Sequence, residues 1–331
     1  MTITDQILMT LIERKEQPIS GQDLANHLSI TRNTVWNHIK QLKENGYEIN
    51  SQPGQGYILT ELSPHLDATQ LKYLLKRTFN ALHIEVLPTT TSTNDIAKAY
   101  QADHPTQPAL FVTQNQTKGR GRYGKSFKSD LDEGLYLSLV IPPSTTNFEE
   151  MTRYTLMAAV AVVEALKPWV EDDLAIKWVN DIFYNGKKIA GILCESIMSL
   201  ENYEPQAVVI GIGINLAGSF TKDKELKEIA GTVFDTHLPN GFNLNQLIAT
   251  LIKKIEGFHL SKDPQPLIEK YDHYLLGKGQ KVTYQQQNST YQGVLKGIDS
   301  NGQLLIQRNG KTETLIAGEV TFNSAQFAKE N

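Results

Sequence analysis

Cationic side chains stand beside glycines at two places in this sequence. Arg120 and Arg122 alternate with glycines in the run Gly119–Arg122, and Lys188 lies just before the small pair Ala190-Gly191. Guanidinium groups bind carboxylates and phosphates in bidentate fashion, and glycines let the backbone approach a ligand. The pattern predicts a site for an anion that carries carboxyl or phosphoryl groups. The plainer alternatives are a solvated loop and an exposed strand lysine.

Strand-like segments surround these groups. Ala175–Val179 is predicted to form a strand that ends at Asn180-Asp181, and the pair Asn185-Gly186 predicts a type I′ hairpin that follows it. A later strand, Gln206–Ile214, contains Gly211. A glycine inside a strand indicates that a ligand or a neighbouring backbone comes close.

A hydroxyl-rich loop, Thr89–Asp95, leads into a helix. Such a loop is typical of a capped helix start, and it could also offer hydroxyl groups to a polar, uncharged ligand. The segment Gln114–Gly124, which contains the two arginines, has no periodicity and is predicted to be a loop.

Composition limits the class of protein. The chain has 331 residues, a net charge of −4 and one cysteine, Cys194. This length allows two or three domains, and the weak charge requires any nucleic-acid binding to come from a local patch. A single cysteine fits a reducing compartment, so we expect a cytoplasmic protein with Cys194 as a small buried hydrophobe. We also expect no membrane segment and no zinc site built from histidines.

Residues 1–62 are predicted to be a winged helix-turn-helix module. Three helical segments, the last two starting at Ser20 and Thr31, precede two short strands. The third helix carries polar and basic residues suited to base edges and phosphates: Arg32, Asn33, Thr34, Trp36, Asn37 and Lys40. The module holds five basic against seven acidic residues. A small helical domain that contacts other proteins therefore stays open as an alternative. DNA binding by so weakly charged a module would require a dimer.

The pattern predicts an α+β multidomain protein. A linker helix is expected over 63–80, and a mixed or antiparallel sheet with helices over 81–276. Short strands over 277–331 predict a small SH3-like β-barrel. Neither a Rossmann fingerprint nor a P-loop is present.

The motifs, in this order, resemble those of the biotin–protein ligases. The matching segments are Gly119–Arg122, Lys177–Asp181, Lys188–Leu193 and Gly211–Asn215. Because the N-terminal module is also present, the resemblance is to the bifunctional kind that represses biotin genes. It covers essentially the whole chain and implies a central domain similar to class II synthetases.

The resemblance implies two-step acyl transfer. Biotin's carboxylate attacks the α-phosphorus of ATP to give biotinyl-5′-AMP, and a lysine of a carrier domain then attacks this anhydride. Arg120, Arg122, Lys188 and Asp181 are the implied catalytic residues. Arg120 and Arg122 would screen two negatively charged reactants, and their loop would exclude water from the intermediate. Lys188 would meet the biotin carboxylate, and Asp181 would assist the metal or the incoming amine.

The resemblance also implies the ligand contacts. Biotin would be bound by Ser92, Thr93, Asn94, Gln116, Gly119, Arg120, Gly121, Arg122, Lys188, Gly191 and Gly211. The nucleotide would be bound by Arg122, Phe127, Lys177, Asn180 and Asn215. Mg²⁺ would arrive with ATP rather than occupy a site built by the protein alone.

The chain departs from the family pattern after the arginines. The family usually has Arg-x-Trp there, and this sequence has Lys125-Ser126-Phe127. Lys125 keeps the charge without the bidentate fork, and Phe127 offers adenine a smaller ring. Nucleotide affinity is therefore expected to be weaker.

The implied partners are the biotin carboxyl carrier domain of acetyl-CoA carboxylase, that of pyruvate carboxylase, and operator DNA. Biotinyl-AMP is expected to order loops around 116–128 and 215–230, and so to promote a homodimer that binds a palindromic operator. Two alternatives remain at this point: a lipoate-type acyl-protein ligase, and a biotin-sensing repressor without catalysis.

Overall fold

The computed structural model describes residues 2–14, 17–52, 54–127, 131, 133–143, 151–199, 201, 204–220, 228–286, 289–316 and 320–321. Residues 128 and 221–227, which belong to the loops that biotinyl-AMP is expected to order, lie outside these ranges. The chain divides into two compact units. The first comprises Met1–Arg77 with Asn240–Ala249, and the second comprises Thr78–Pro239 with Thr250–Asn331.

The first unit contains the predicted winged helix-turn-helix. Ser20 and Thr31 accept backbone hydrogen bonds at the starts of the second and third helices, as predicted. Gly46, at φ +84°, follows the third helix. Apolar side chains of all three helices and of both wing strands form one buried core. The elements are α1 (Ile3–Arg14), α2 (Gly21–Leu28), α3 (Arg32–Glu44), β1 (Glu48–Gln52), β2 (Gly56–Glu61) and α4 (Ala68–Leu74).

A distant segment completes this unit. Asn243 Nδ2 donates to the Ser63 carbonyl at 2.8 Å, and Asn245 Nδ2 donates to the His65 carbonyl at 2.7 Å. Asn245 Oδ1 accepts from the Asp67 N–H at 2.9 Å. Both asparagines are buried, so side-chain amides satisfy backbone groups that no sheet or helix pairs.

A seven-stranded mixed sheet forms the centre of the second unit. Its order is β3-β4-β5-β9-β8-β7-β6, and only β3 and β4 run parallel. The predicted mixed sheet is confirmed. Its strands are β3 (His83–Leu87), β4 (Ala109–Thr113), β5 (Glu133–Ile141), β6 (Ala175–Lys177), β7 (Asp181–Tyr184), β8 (Lys187–Met198) and β9 (Pro205–Ala217).

Helices cover this sheet. α5 packs Ala97 against Phe111, Val140 and Val209 of neighbouring strands. Most of α6 is buried, which explains its run of small residues. No helix in the described ranges is long and apolar enough to cross a bilayer. The helices that cover the sheet are α5 (Thr93–Asp103) and α6 (Met151–Leu166). Two more helices follow along the chain: α7 (Leu244–Leu260), whose residues 244–249 belong to the first unit, and α8 (Gln265–His273).

One predicted strand is shorter than expected. The prediction extended it through Val179, but β6 ends at Lys177 and a turn leads into β7 at Asp181. The apolar residues Trp178 and Val179 are buried within that turn rather than in the sheet. The Asn185-Gly186 hairpin is confirmed as type I′, because both residues have positive φ.

The C-terminal part of the second unit is a five-stranded antiparallel sheet with the order β13-β12-β11-β10-β14. Asn309 and Gly310 both have positive φ and form a second type I′ turn. The Trp178 indole N–H donates to the Gly302 carbonyl at 2.9 Å, which links this sheet to the turn after β6. The strands are β10 (Lys281–Gln286), β11 (Ser289–Ile298), β12 (Leu304–Arg308), β13 (Lys311–Leu315) and β14 (Val320–Thr321).

Candidate active site and DNA-binding helix

The second unit contains a cavity of about 660 Å³ on the sheet. The cavity wall contains all but one of the residues that the sequence predicted to contact ligands. The exception is Gly119, which is buried and does not line the cavity. The predicted residues in the wall are Ser92, Thr93, Asn94, Gln116, Arg120, Gly121, Arg122, Phe127, Lys177, Asn180, Asp181, Lys188, Gly191, Gly211 and Asn215.

The floor of the cavity follows β9. Gly211, Gly213 and Asn215 occupy every second position of this strand, so they lie on one face and span about 13 Å. A Cβ at Gly211 would fall 2.1 Å from Asn94 Oδ1, and one at Gly213 would fall 2.8 Å from the Phe127 ring. The two glycines therefore make room for side chains that lie directly on the sheet.

Neutral polar groups lie at the Gly211 end. Gln116 Oε1 accepts from the Thr93 backbone N–H at 2.8 Å and lies 3.2 Å from its hydroxyl oxygen. Because the amide oxygen is used in this way, the Gln116 amide nitrogen remains as a donor, and both Gln116 and Ser92 lie in the cavity wall. A donor and a hydroxyl so placed suit an uncharged, amide-like group.

The arginine segment is a short hairpin rather than an irregular loop. Gly121 N–H donates to the Lys125 carbonyl at 2.7 Å, and Phe127 N–H donates to the Gly119 carbonyl at 2.9 Å. Tyr123 (φ +55°) and Gly124 (φ +73°) form its type I′ turn. A tyrosine is rare in this conformation, so the sequence offered little signal for the turn. We call residues 119–127 the flap.

The two flap arginines have different partners. Arg120 makes two contacts with the Asp95 carboxylate, at 3.1 and 3.0 Å, and is exposed. Arg122 is half-buried and donates to Asn180 Oδ1 at 3.1 Å, with the Tyr123 hydroxyl 3.3 Å from its other terminal nitrogen. Both of these Arg122 partners are neutral, and Arg122 lines the cavity without an ion pair to a carboxylate in the part of the chain that the structure describes.

Lys188 and Asp181 form an ion pair in the wall. Lys188 Nζ lies 2.7 Å from Asp181 Oδ1, which also accepts from Asn180 Nδ2 at 3.0 Å. Asn180 Nδ2 additionally contacts the Ile192 carbonyl. The hydrogen bonds hold the carboxylate in place, while the ammonium group is positioned to meet a second anion.

The residues predicted to bind the nucleotide include an aromatic ring and a buried amide that lie along β9. The Phe127 ring lies over Gly191 and Gly213, and Lys177 Nζ is 5.9 Å from the centre of the Phe183 ring. Asn215 is buried; its Nδ2 donates to the Gly231 carbonyl, and its Oδ1 has no hydrogen-bond partner among the described residues. A buried acceptor of this kind fits the exocyclic amino group of a purine.

Several wall residues were missed from the sequence. Tyr123, Phe183, Ile229 and Trp178 line the cavity, and an isolated aromatic or aliphatic residue gives no signal for such a role. The described residues contain no group of three or more side chains able to bind a metal ion. Cys194 is half-buried, not fully buried as expected. Desolvation still raises the pKa of its thiol to about 12, which makes it a poor nucleophile.

A separate candidate site lies on the first unit. Among the predicted DNA-contacting residues of α3, Arg32, Asn33, Asn37 and Lys40 are exposed, and Trp36 is 53% exposed. Thr34 is half-buried, and its hydroxyl lies 2.8 Å from that of the N-cap Thr31. One face of α3 is therefore open to a partner, with Thr34 engaged at the helix start.

Comparison with known families decides the identity. Residues 86–215 match the Biotin/lipoate A/B protein ligase family, 4–58 match an HTH domain, and 278–322 match the Biotin protein ligase C terminal domain. The chain belongs to the biotin–protein ligases. A helix-turn-helix domain precedes its ligase domain.

Individual relatives agree with this assignment. The Bifunctional ligase/repressor BirA of Bacillus subtilis is 29% identical over 322 residues, covering 96% of this chain and 98% of the relative. Its namesake from Escherichia coli is 27% identical over 325 residues, with 93% and 94% covered. A solved biotin protein ligase from Aquifex aeolicus is 25% identical with a TM-score of 0.58, covering 72% of this chain and 97% of that one.

Proposed function

We propose that this ligase joins biotin to ATP, forming biotinyl-5′-AMP and pyrophosphate, and then transfers biotin to a lysine of a carrier domain. The observation that carries the proposal is the order of groups along β9. Neutral polar groups at Gly211 suit the ureido ring, the cation Lys188 beside Gly191 suits the carboxylate and phosphate, and the acceptor Asn215 suits adenine. The Aquifex aeolicus structure, which contains biotin and ATP, supports the same pair of substrates.

Charge compensation drives the first step. Biotin's carboxylate and the α-phosphate repel each other, and Arg122 and Lys188 offset this repulsion from the cavity wall. Arg120 would add its charge after leaving Asp95. As the carboxylate oxygen bonds to phosphorus, the bond to pyrophosphate breaks. Mg²⁺ would arrive with the nucleotide and neutralise phosphate charge, and Asp181 of the cavity wall would be a carboxylate that helps to hold it.

The flap controls the second step. Closed over the adenylate, residues 119–127 exclude water until a carrier lysine arrives, and the amine then displaces AMP from the acyl carbon. The proposed carriers are the biotin carboxyl carrier domains of acetyl-CoA carboxylase and pyruvate carboxylase.

An ATP-dependent transfer assay tests the ligase. Purified protein, labelled biotin and a carrier domain should give labelled carrier only when ATP and Mg²⁺ are present. Titration calorimetry with biotin and with lipoate distinguishes a biotin ligase from the lipoate-type alternative by which of the two compounds binds. Tight biotin binding without transfer would instead favour a sensor that has lost catalysis.

We further propose that the adenylate promotes a homodimer whose two α3 helices bind operator DNA. The exposed polar face of α3, with Trp36 at its centre, supports this role. The module of residues 1–62 holds five basic against seven acidic residues, which makes binding by one module weak, so two modules are required. Sedimentation with and without biotinyl-AMP, followed by gel shift with a biotin-gene promoter, tests it. An unchanged association constant would contradict the ligand-driven dimer.

A further inference from the structure

Asn94 lies across three strands of the central sheet. Ser138 of β5, Gly211 of β9 and Leu193 of β8 are directly opposite one another in the sheet register. Asn94 Oδ1 lies 2.6 Å from the Ser138 hydroxyl, and Nδ2 lies 3.4 Å from the Leu193 carbonyl. The amide therefore spans this row and rests on Gly211, where only a glycine leaves room for it.

A carboxylate holds the other end of the amide. Asn94 Nδ2 donates to Glu195 Oε2 at 2.7 Å, and the second oxygen of Glu195 pairs with Lys98 of α5. Asn94 is 4% exposed. Both N–H groups of the Asn94 amide and one lone pair of its oxygen thus form hydrogen bonds within the protein. Little of its hydrogen-bonding capacity remains for a ligand.

The same serine also reaches the neighbouring residue. Ser138 is fully buried, and its hydroxyl lies 2.7 Å from Thr93 Oγ1. Because the hydroxyl proton of Ser138 goes to Asn94 Oδ1, Thr93 donates its own hydroxyl proton to Ser138. The link from Thr93 to Gln116 is then the backbone N–H. A continuous chain of hydrogen bonds therefore leads from Glu195 and Ser138, neither of which lines the cavity, to the polar groups that do.

We propose that Asn94, Ser138 and Glu195 form a clip that fixes the N-terminus of α5 on the sheet. In this arrangement Ser138 and Glu195 are positioning residues for recognition of the ureido ring. Asn94 acts by fastening the helix, and Ser92 and Gln116 make the direct contacts. The inference rests on biotin being the ligand, as proposed above. A shift of the helix start by a fraction of an ångström would misplace both contacting groups at once.

Four variants of the full chain test the clip. Ser138→Ala removes the hydroxyl, and Glu195→Leu removes the acceptor at similar volume. Glu195→Gln keeps an oxygen that accepts from Asn94. Lys98→Met is the matched control, because it removes the ion pair and leaves the Asn94 contacts intact. The measurements are the Kd for biotin alone by calorimetry, KM for biotin and for ATP, and the thermal midpoint.

Loss of one buried hydrogen-bond partner is expected to weaken biotin binding about tenfold in Ser138→Ala and Glu195→Leu. KM for ATP should stay within about twofold, and Glu195→Gln and Lys98→Met should bind biotin like the natural chain. If Ser138→Ala does not fold, the test is the difference in biotin affinity between Glu195→Leu and Glu195→Gln.

Different results overturn different statements. Unchanged biotin affinity in the folded clip variants overturns the clip and favours direct contact by Asn94. Equal weakening for biotin and ATP, or a loss in Lys98→Met as large as in Glu195→Leu, also overturns it by indicating a general disturbance. Absence of biotin binding to the natural chain would instead refute the proposed function.

Discussion

Replacing Lys188 by methionine should slow formation of the adenylate about a thousandfold. The ammonium group lies in the cavity wall, 2.7 Å from Asp181. A unit charge about 4 Å from a reacting anion is worth about 4 kcal/mol at an effective dielectric constant of about 20. Each tenfold in rate corresponds to about 1.4 kcal/mol, which gives about three orders of magnitude. Methionine keeps the length of the apolar stem, so the loss reports the charge.

The variant also leaves an uncompensated carboxylate beside an anionic substrate. Adding Asp181→Asn to Lys188→Met should therefore recover about tenfold of the lost rate. Alone, Asp181→Asn removes the partner that holds the ammonium group and should lower the rate. A double-mutant cycle on these two positions measures their coupling directly.

Biotin-dependent exchange of labelled pyrophosphate into ATP isolates the first step. Lys187→Met is the matched control, since this neighbouring lysine is exposed and does not line the cavity. It should exchange at nearly the rate of the natural chain. A Lys188→Met rate within threefold of that rate, or equal losses in the two variants, would refute the electrostatic reasoning.

Three other changes probe separate parts of the chain. Trp178→Phe removes the hydrogen bond to the Gly302 carbonyl and should lower the free energy of unfolding by about 2 kcal/mol in urea titrations; an unchanged midpoint would show that the bond is dispensable. Burial works to raise the pKa of Glu164, but hydrogen bonds from two lysines outweigh it and lower the pKa. Glu164→Gln should therefore cost about 1 kcal/mol at neutral pH. Because a lowered carboxylate pKa stabilises only while the group is ionised, that cost should fade as pH drops below 4.5, and a pH-independent difference would contradict this. Arg32→Ala should weaken operator binding and reduce its salt dependence without changing biotin transfer, as gel shifts at several salt concentrations can show.

Local patterns were enough to predict much of the fold. Ser20 and Thr31 cap their helices because a short side-chain oxygen satisfies a free backbone N–H, a rule that needs no tertiary information. Asn185-Gly186 sets its hairpin because both residues tolerate positive φ. The strand predicted through Val179 ends earlier, because Trp178 and Val179 are buried in a turn. Hydrophobicity alone does not distinguish apolar residues buried in a turn from those buried in a strand.

Most residues of the candidate site were predictable by type, and their geometry was not. The charged and hydroxyl residues in the cavity wall carry chemistry that a sequence displays. The flap hairpin depends on Tyr123 adopting an unfavourable φ, which no propensity favours. The partners of Asn94 come from strands far apart in the chain, and only the sheet register brings Ser138 and Leu193 to opposite sides of Gly211.

The N-terminal unit is discontinuous in sequence, since residues 240–249 belong to it. A truncated gene product that stops near residue 77 would leave the backbone of Ser63 and His65 without the amide partners that Asn243 and Asn245 provide. Such a fragment should melt earlier than the same fragment carrying the missing ten residues on a flexible tether. Anyone who wishes to transplant this module into a chimera should therefore move both pieces together.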